Sequence, residues 1–138
     1  MHEVIPGQLW IGNASDARRP ADLLQAGIRA VVDLAYEAPP PALPRELILI
    51  RVPLTDGEGN SRESLELAIG SVERLLRSEM PTLVACSAGL SRSPLVSSAA
   101  ISRAEQIPLQ AALRKIQQVR RLDVSPRLLK DVEELVGN

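Results

Sequence analysis

Residues 82–94 read Thr-Leu-Val-Ala-Cys-Ser-Ala-Gly-Leu-Ser-Arg-Ser-Pro. Thr82 to Ala85 is a short apolar run, which predicts a buried central strand. From Ser93 the chain turns small and apolar, which predicts the start of a buried helix. Between them lie Cys86, the only cysteine of the chain, and Arg92, with five residues separating the two and Gly89 in their midst. A strand, a tight turn and a helix N-terminus in that order form an anion cradle from backbone N–H groups. A thiol at the base of such a cradle and a guanidinium at its rim supply a nucleophile and a phosphate clamp. The stretch therefore predicts phosphate-ester chemistry on an α/β fold.

The chemistry asks for a thiolate. A free cysteine has a pKa of about 8.5 and must fall to roughly 3.5–7.5 to ionise at neutral pH. Three features push that way: inward N–H groups of Ser87, Ala88, Gly89, Leu90, Ser91 and Arg92, the positive end of the helix near Ser93, and the fixed charge of Arg92. The same groups suit a phosphate dianion, two of whose oxygens Arg92 can hold. The Ser93 hydroxyl can donate to the sulfur and ease its departure from a phospho-cysteine.

The leaving oxygen of the ester needs a proton from a placed acid. Asp56 is the first candidate, because it sits in a polar loop directly after a predicted strand, where α/β folds carry their chemistry. Glu58 is the second and Asp33, at another strand end, the third.

Composition narrows the alternatives. The chain has 138 residues, 45% of them hydrophobic, and reads as a single domain over 1–138 with a real core. It has no Phe, one Trp (Trp10) and one Tyr (Tyr36), so stacking platforms for nucleic acid are missing. The net charge of −1 also argues against nucleic-acid binding. One cysteine makes no internal disulfide and holds no structural zinc, and the single histidine, His2, leaves no Ser-His-Asp or Cys-His pair. No metal or other cofactor is expected. Asp56-x-Glu58-x-Asn60 hints at a calcium loop, but Ser61 and Leu67 stand where Gly and Glu are required. The N-terminus lacks the pattern of a signal peptide and no stretch approaches a membrane span, so the cytoplasm is the expected location and a monomer the expected state.

The rest of the chain frames the loop. Val4-Ile5 and Leu9 to Ile11, divided by Pro6-Gly7, predict a hairpin. Asn13 or Ser15 can cap a helix start, and Asp22 to Gln25 predicts a helical turn closed by Gly27. Arg29 to Leu34 and Leu47 to Leu54 predict strands, the second with pairing that ends near Pro53. Ala38 to Pro44 holds four prolines and predicts a loop. Ser61 to Ser78 predicts a helix burying Leu65, Ala68, Ile69, Val72, Leu75 and Leu76. Pro108 predicts the N1 position of another, with Leu109, Ala112, Leu113, Ile116 and Val119 inward, and Pro126 opens the last. The expected fold is α/β: a mainly parallel sheet of about four to five strands flanked by helices, with the phosphate loop between a central strand and a helix. Trp10 reads as core. Arg18-Arg19, Arg114-Lys115 and Arg120-Arg121 read as solvated helix faces, with attraction of an anionic substrate as the second reading.

Cys-x5-Arg followed by Ser, with the central Gly89, resembles the active-site signature of cysteine-based protein tyrosine phosphatases. The layout is similar to their small dual-specificity branch over most of the chain: Leu9-Trp10-Ile11-Gly12 with Ala14, the strand Ala30 to Leu34, an acidic loop thirty residues before Cys86, and the closing helices. The resemblance implies that Cys86 is the nucleophile, Arg92 the phosphate ligand and Asp56 the acid. It implies that Gly89 lets the loop turn and Ser93 assists breakdown of the phospho-enzyme. The substrate would be a phosphorylated protein, on tyrosine and also serine or threonine, or a small phosphate ester.

One departure stands out. The family carries His immediately before the Cys, where it orders the loop, and this chain carries Ala85. A weak or binding-only descendant is the alternative this raises. A rhodanese-like sulfurtransferase is a third reading, though that loop is commonly one residue shorter and need not carry the Arg-Ser pair. Arsenate reduction calls for additional redox cysteines.

Overall fold

A computed structural model describes residues 1–137. The chain runs β1 (His2–Ile5), β2 (Leu9–Gly12), a 3-10 turn (Asp16–Arg18), α1 (Pro20–Gln25), β3 (Ala30–Ala35), β4 (Ile48–Leu54), α2 (Arg62–Arg77), β5 (Thr82–Ala85), α3 (Arg92–Glu105), α4 (Leu109–Gln117) and α5 (Pro126–Val136). The five strands form one sheet in the order β1-β2-β5-β3-β4. Only the β1–β2 hairpin is antiparallel; β2–β5, β5–β3 and β3–β4 are parallel. The expected mainly parallel sheet is therefore present, with β5 at its centre.

The sheet separates two apolar layers. On one face Leu9, Ile11, Val32 and Val84 meet the buried sides of α2 to α5, including Leu65, Ile69, Leu95, Ile101, Leu113 and Leu128. On the other, Trp10, Val31, Leu83 and Ala85 meet Ala17, Leu23, Ile28 and Leu47 around the shorter α1. The alternation Leu83-Val84-Ala85 across these layers is the period-two pattern of a strand buried on both sides. The α3 helix is wrapped by α2, α4 and α5, and its residues 92–102 are all buried. Its small residues, Ser97, Ser98, Ala99 and Ala100, suit that crowding. No helix among the described residues is long and apolar enough to cross a membrane.

Local chemistry explains most element ends. The Asn13 side chain accepts from the Asp16 amide and Asp16 accepts from the Asn13 amide, both at 2.9 Å, a reciprocal cap on the 3-10 turn. Ser61 Oγ accepts from the Ser64 amide at 3.0 Å and starts α2. Ser125 caps α5, with Pro126 at N1.

Three expectations need correction. Pairing does not end at Pro53: it slips after Asp33–Arg51 and resumes at Ala35–Leu54. The β4 strand is the sheet edge, and the Ile48 amide and Leu54 carbonyl both turn toward β3. The backbone N–H groups of the odd-numbered residues between them therefore turn away from β3, and Pro53 lacks a donor only where the ladder needs none. Pro108 is the N-cap of α4, with extended backbone, rather than its N1 residue. Val119 lies beyond the end of α4 and is exposed, so it belongs to the connection and not to the core.

Candidate active site

Three parallel strands deliver the site. Cys86 directly follows β5, while Glu37 and Asp56 lie two residues beyond the ends of β3 and β4. All three emerge at the carboxyl edge of the sheet, the edge at which open α/β sheets place their chemistry. They line one cleft of about 250 Å³ with Ser87, Ala88, Leu90, Ser91, Arg92 and Asp123.

At the floor of this cleft, Cys86 is 2% exposed. Its Sγ lies 3.2 Å from Ser93 Oγ. The amides of Gly89 and Ser93 donate to the sulfur at 3.2 and 3.5 Å. Oriented N–H groups and the first turn of α3 therefore converge on the thiol, an arrangement that favours negative charge there. The loop carbonyls point the other way, and each has a donor. Ala14 N–H reaches Ser87 O at 3.2 Å, Asp123 N–H reaches Leu90 O at 3.0 Å and Leu95 N–H reaches Ser91 O at 3.0 Å. The carbonyls of Ala88 and Gly89 accept from Nη2 and Nε of one side chain, Arg120, at 2.9 and 2.6 Å. A loop whose carbonyls are all held outward must present its amides inward, as an anion cradle requires.

Gly89 is forced by geometry. Its φ is +72°, and a Cβ there would lie 2.7 Å from the Gly12 carbonyl oxygen and 2.5 Å from Arg120 Nη2. Ser91 spends its hydroxyl on the Ser125 amide at 2.9 Å, tying the end of the loop to the start of α5.

Arg92 is buried, with three of its five N–H donors committed. Nη1 donates to Glu37 Oε1 and to Leu54 O, and Nη2 donates to Glu37 Oε2, each at 2.7 Å. Nε and the second Nη2 hydrogen share the opposite edge of the guanidinium and remain as a two-pronged fork for an anion. The hydrogen bond from Arg92, working against burial, holds the Glu37 carboxyl down at about 2. Burial pulls the Arg92 pKa down, but the Glu37 hydrogen bond, with the charges of Cys86, Glu37 and Asp56, outweighs it and raises the pKa. Glu37 is ionised at any working pH and fixes the orientation of the fork.

The structure thus brings together Cys86, Arg92, Ser93, the loop 87–91 and Asp56. Among the lower-ranked acids, Glu58 does not line the cleft. Asp33 is buried and binds the Ala35 amide at 3.1 Å and Arg51 at 3.5 Å, so it serves the strand end. Trp10 is core, as expected. Ala85 packs into the apolar layer with Trp10 and Leu83. Sequence reasoning missed Glu37 and read Arg120 as a solvated helix face, whereas its guanidinium braces the loop through Ala88 O and Gly89 O. The available signal for Glu37 was its place just past the end of a strand parallel to β5. Arg120 carried no such signal.

Residues 9–132 match the family model described as "Dual specificity phosphatase, catalytic domain". The chain belongs to the dual specificity phosphatase family. The human "Dual specificity protein phosphatase 12" is 31% identical to it over 122 residues, which cover 85% of this chain and 35% of that protein. The domain thus spans about a third of the length of this curated relative. Among solved structures, human DUSP28 superimposes with a TM-score of 0.87 at 24% identity, over 99% of this chain and 96% of that one. A mouse putative dual specificity phosphatase complexed with zinc tungstate gives 0.86 at 27% identity, over 99% and 86%. Both superpositions extend over nearly the whole chain, so these neighbours share its fold.

Proposed function

We propose that this chain is a cysteine-dependent phosphoric monoester hydrolase acting on phosphorylated proteins, on phosphotyrosine and also on phosphoserine or phosphothreonine. The observation that carries the reading is the loop around Cys86, with every carbonyl held outward and the thiol under the Gly89 and Ser93 amides. Tungstate, named with the mouse relative, is a tetrahedral oxyanion of the same shape class as phosphate.

In the first step the Cys86 thiolate attacks phosphorus and the P–O ester bond breaks. The leaving oxygen takes the proton of the Asp56 carboxyl, and an S–P bond forms. Arg92, through Nε and Nη2, and the loop amides hold the three non-bridging oxygens as charge spreads over them. In the second step a water gives its proton to the Asp56 carboxylate and attacks phosphorus. The S–P bond breaks, and the Ser93 hydroxyl donates to the departing sulfur.

Neither alternative gains an observation. Ala85 fills an apolar site while Arg120, Ala14 and Asp123 hold the loop carbonyls, which supports a cradle built without the histidine. A sulfurtransferase releasing sulfite has no use for a proton donor at Asp56. Purified protein should release phosphate from a small aryl phosphate, and Cys86→Ser should abolish this. Vanadate binding without turnover would overturn the hydrolase reading in favour of a binding module, and a persulfide on Cys86 after thiosulfate would favour sulfur transfer.

A further inference from the structure

The charges around the cleft are lopsided. Its lining holds three carboxylates, Glu37, Asp56 and Asp123, and one cation, Arg92. Arg92 is already paired in bidentate fashion with Glu37. Arg120, which braces the loop, lies outside the lining and spends its guanidinium on Ala88 O, Gly89 O and His2 Nδ1. The floor of the cleft is thus positive, from amides, helix end and one guanidinium edge. Its rim is negative. Even with Asp56 protonated as an acid, Asp123 remains, and Glu37 adds a carboxylate whose charge Arg92 shares.

A bare phosphate dianion reaches the floor and is held there. Whatever flanks the phosphate in a larger substrate meets the rim. Apolar or aromatic recognition has little to work with: Trp10 is buried in the core, Tyr36 is not among the lining residues, and only Ala88, Leu90 and Cys86 are apolar. Charge is therefore the main basis for choosing among phosphate esters at this mouth.

We infer that the Glu37–Asp56–Asp123 rim selects phosphorylated protein segments with Lys or Arg beside the phosphoresidue, and disfavours acidic segments and polyanionic small phosphates. One flanking cation about 6 Å from a rim carboxylate, at an effective dielectric between the surface and bulk-water values, is worth roughly tenfold in kcat/KM. This rests on the proposed site, and its test is built so that the two readings fail separately.

Three peptides with the same phosphoresidue and flanking Arg, Ala or Glu are compared in two ways. Their kcat/KM is measured with the intact protein, and their affinity for the Cys86→Ser variant is measured by fluorescence anisotropy. The Arg peptide should lead the Ala peptide by about tenfold and the Glu peptide should trail by about as much. The spread should collapse at about 1 M salt, where screening acts within roughly 3 Å. Asp123→Asn should shrink the Arg preference, and Asp123→Lys should cancel or invert it. Binding in the expected order without turnover would support the rim reading and overturn only the hydrolase. Equal binding of all three peptides, a lead for the Glu peptide, or a preference unchanged in both Asp123 variants would overturn the rim reading. Tighter binding of an inositol polyphosphate than of the Arg peptide would overturn it as well. Failure of every phosphopeptide to bind would overturn both.

Discussion

Gly89→Ala should damage both the stability and the anion site, and the structure allows the cost to be worked out. The left-handed backbone at φ +72° is disfavoured for alanine by about 1–2 kcal/mol. The new methyl would also sit 2.7 Å from the Gly12 carbonyl oxygen, which β2 holds in place. Arg120 Nη2, at 2.5 Å, is the end of a flexible side chain and can swing away, but only by releasing Ala88 O. Overpacking against fixed backbone costs about 1–3 kcal/mol. The total is about 2–5 kcal/mol, which lowers the melting temperature of a domain this size by roughly 7–17 °C. Gly7→Ala supplies the control: it has the same φ of +72° with nothing within 4 Å, so it should cost only the backbone part. Thermal melts of both variants and vanadate affinity by competition form the assay. Gly89→Ala should weaken vanadate about tenfold or more, because the Gly89 amide must move. Equal melting temperatures for the two variants, with vanadate affinity within about twofold of the parent, would refute the loop geometry.

Other perturbations probe the neighbouring parts. Arg120→Ala removes two charge-assisted hydrogen bonds to loop carbonyls and should cost about 1–2 kcal/mol with a rise in KM for aryl phosphate; Arg120→Lys should rescue little, since one ammonium does not replace the planar fork. Glu37 has a folded pKa of about 2 against an ordinary 4.5, so its stabilisation is present above 4.5 and lost as pH falls toward 2. The carboxylate is 55% exposed, so screening reduces the contribution to about 1–2 kcal/mol, and acid unfolding of Glu37→Gln should lack that part of the pH dependence. Asp56→Asn should lower turnover by about 100-fold for an alkyl phosphate and by less than about tenfold for a nitrophenyl phosphate, whose leaving group needs no proton. Equal losses for the two esters would remove Asp56 from the acid role.

The fold was legible where local pattern and tertiary need agree. Thr82–Ala85, Arg62–Arg77 and Pro126–Val136 lie where apolar spacing and cap residues put them. Pro53 misled because proline was read as a stop, whereas an edge strand has solvent-facing positions where a missing N–H costs nothing. Val119 misled because helical spacing was carried past the end of α4 at Gln117. Within the site, Cys86, Arg92 and Ser93 stand in one short stretch, and their spacing alone made them visible. Glu37 and Arg120 reach their partners across 55 and 31 residues, and only the sheet order and the turn after α4 bring them close. Ala85 shows the converse. The sequence marks it as a departure, but only the structure shows that it is buried in the apolar layer with Trp10 and Leu83.

Covalent capture at Cys86 tests the central claim most directly. Protein mixed rapidly with an aryl phosphate and quenched in acid should carry one phosphoryl group, mapped by peptide mass to the segment that contains Cys86. The Ser93→Ala variant should accumulate more of it, because departure of the sulfur is slowed. Phosphate release with no such adduct in either protein, or with the phosphoryl group on another residue, would contradict a nucleophilic Cys86.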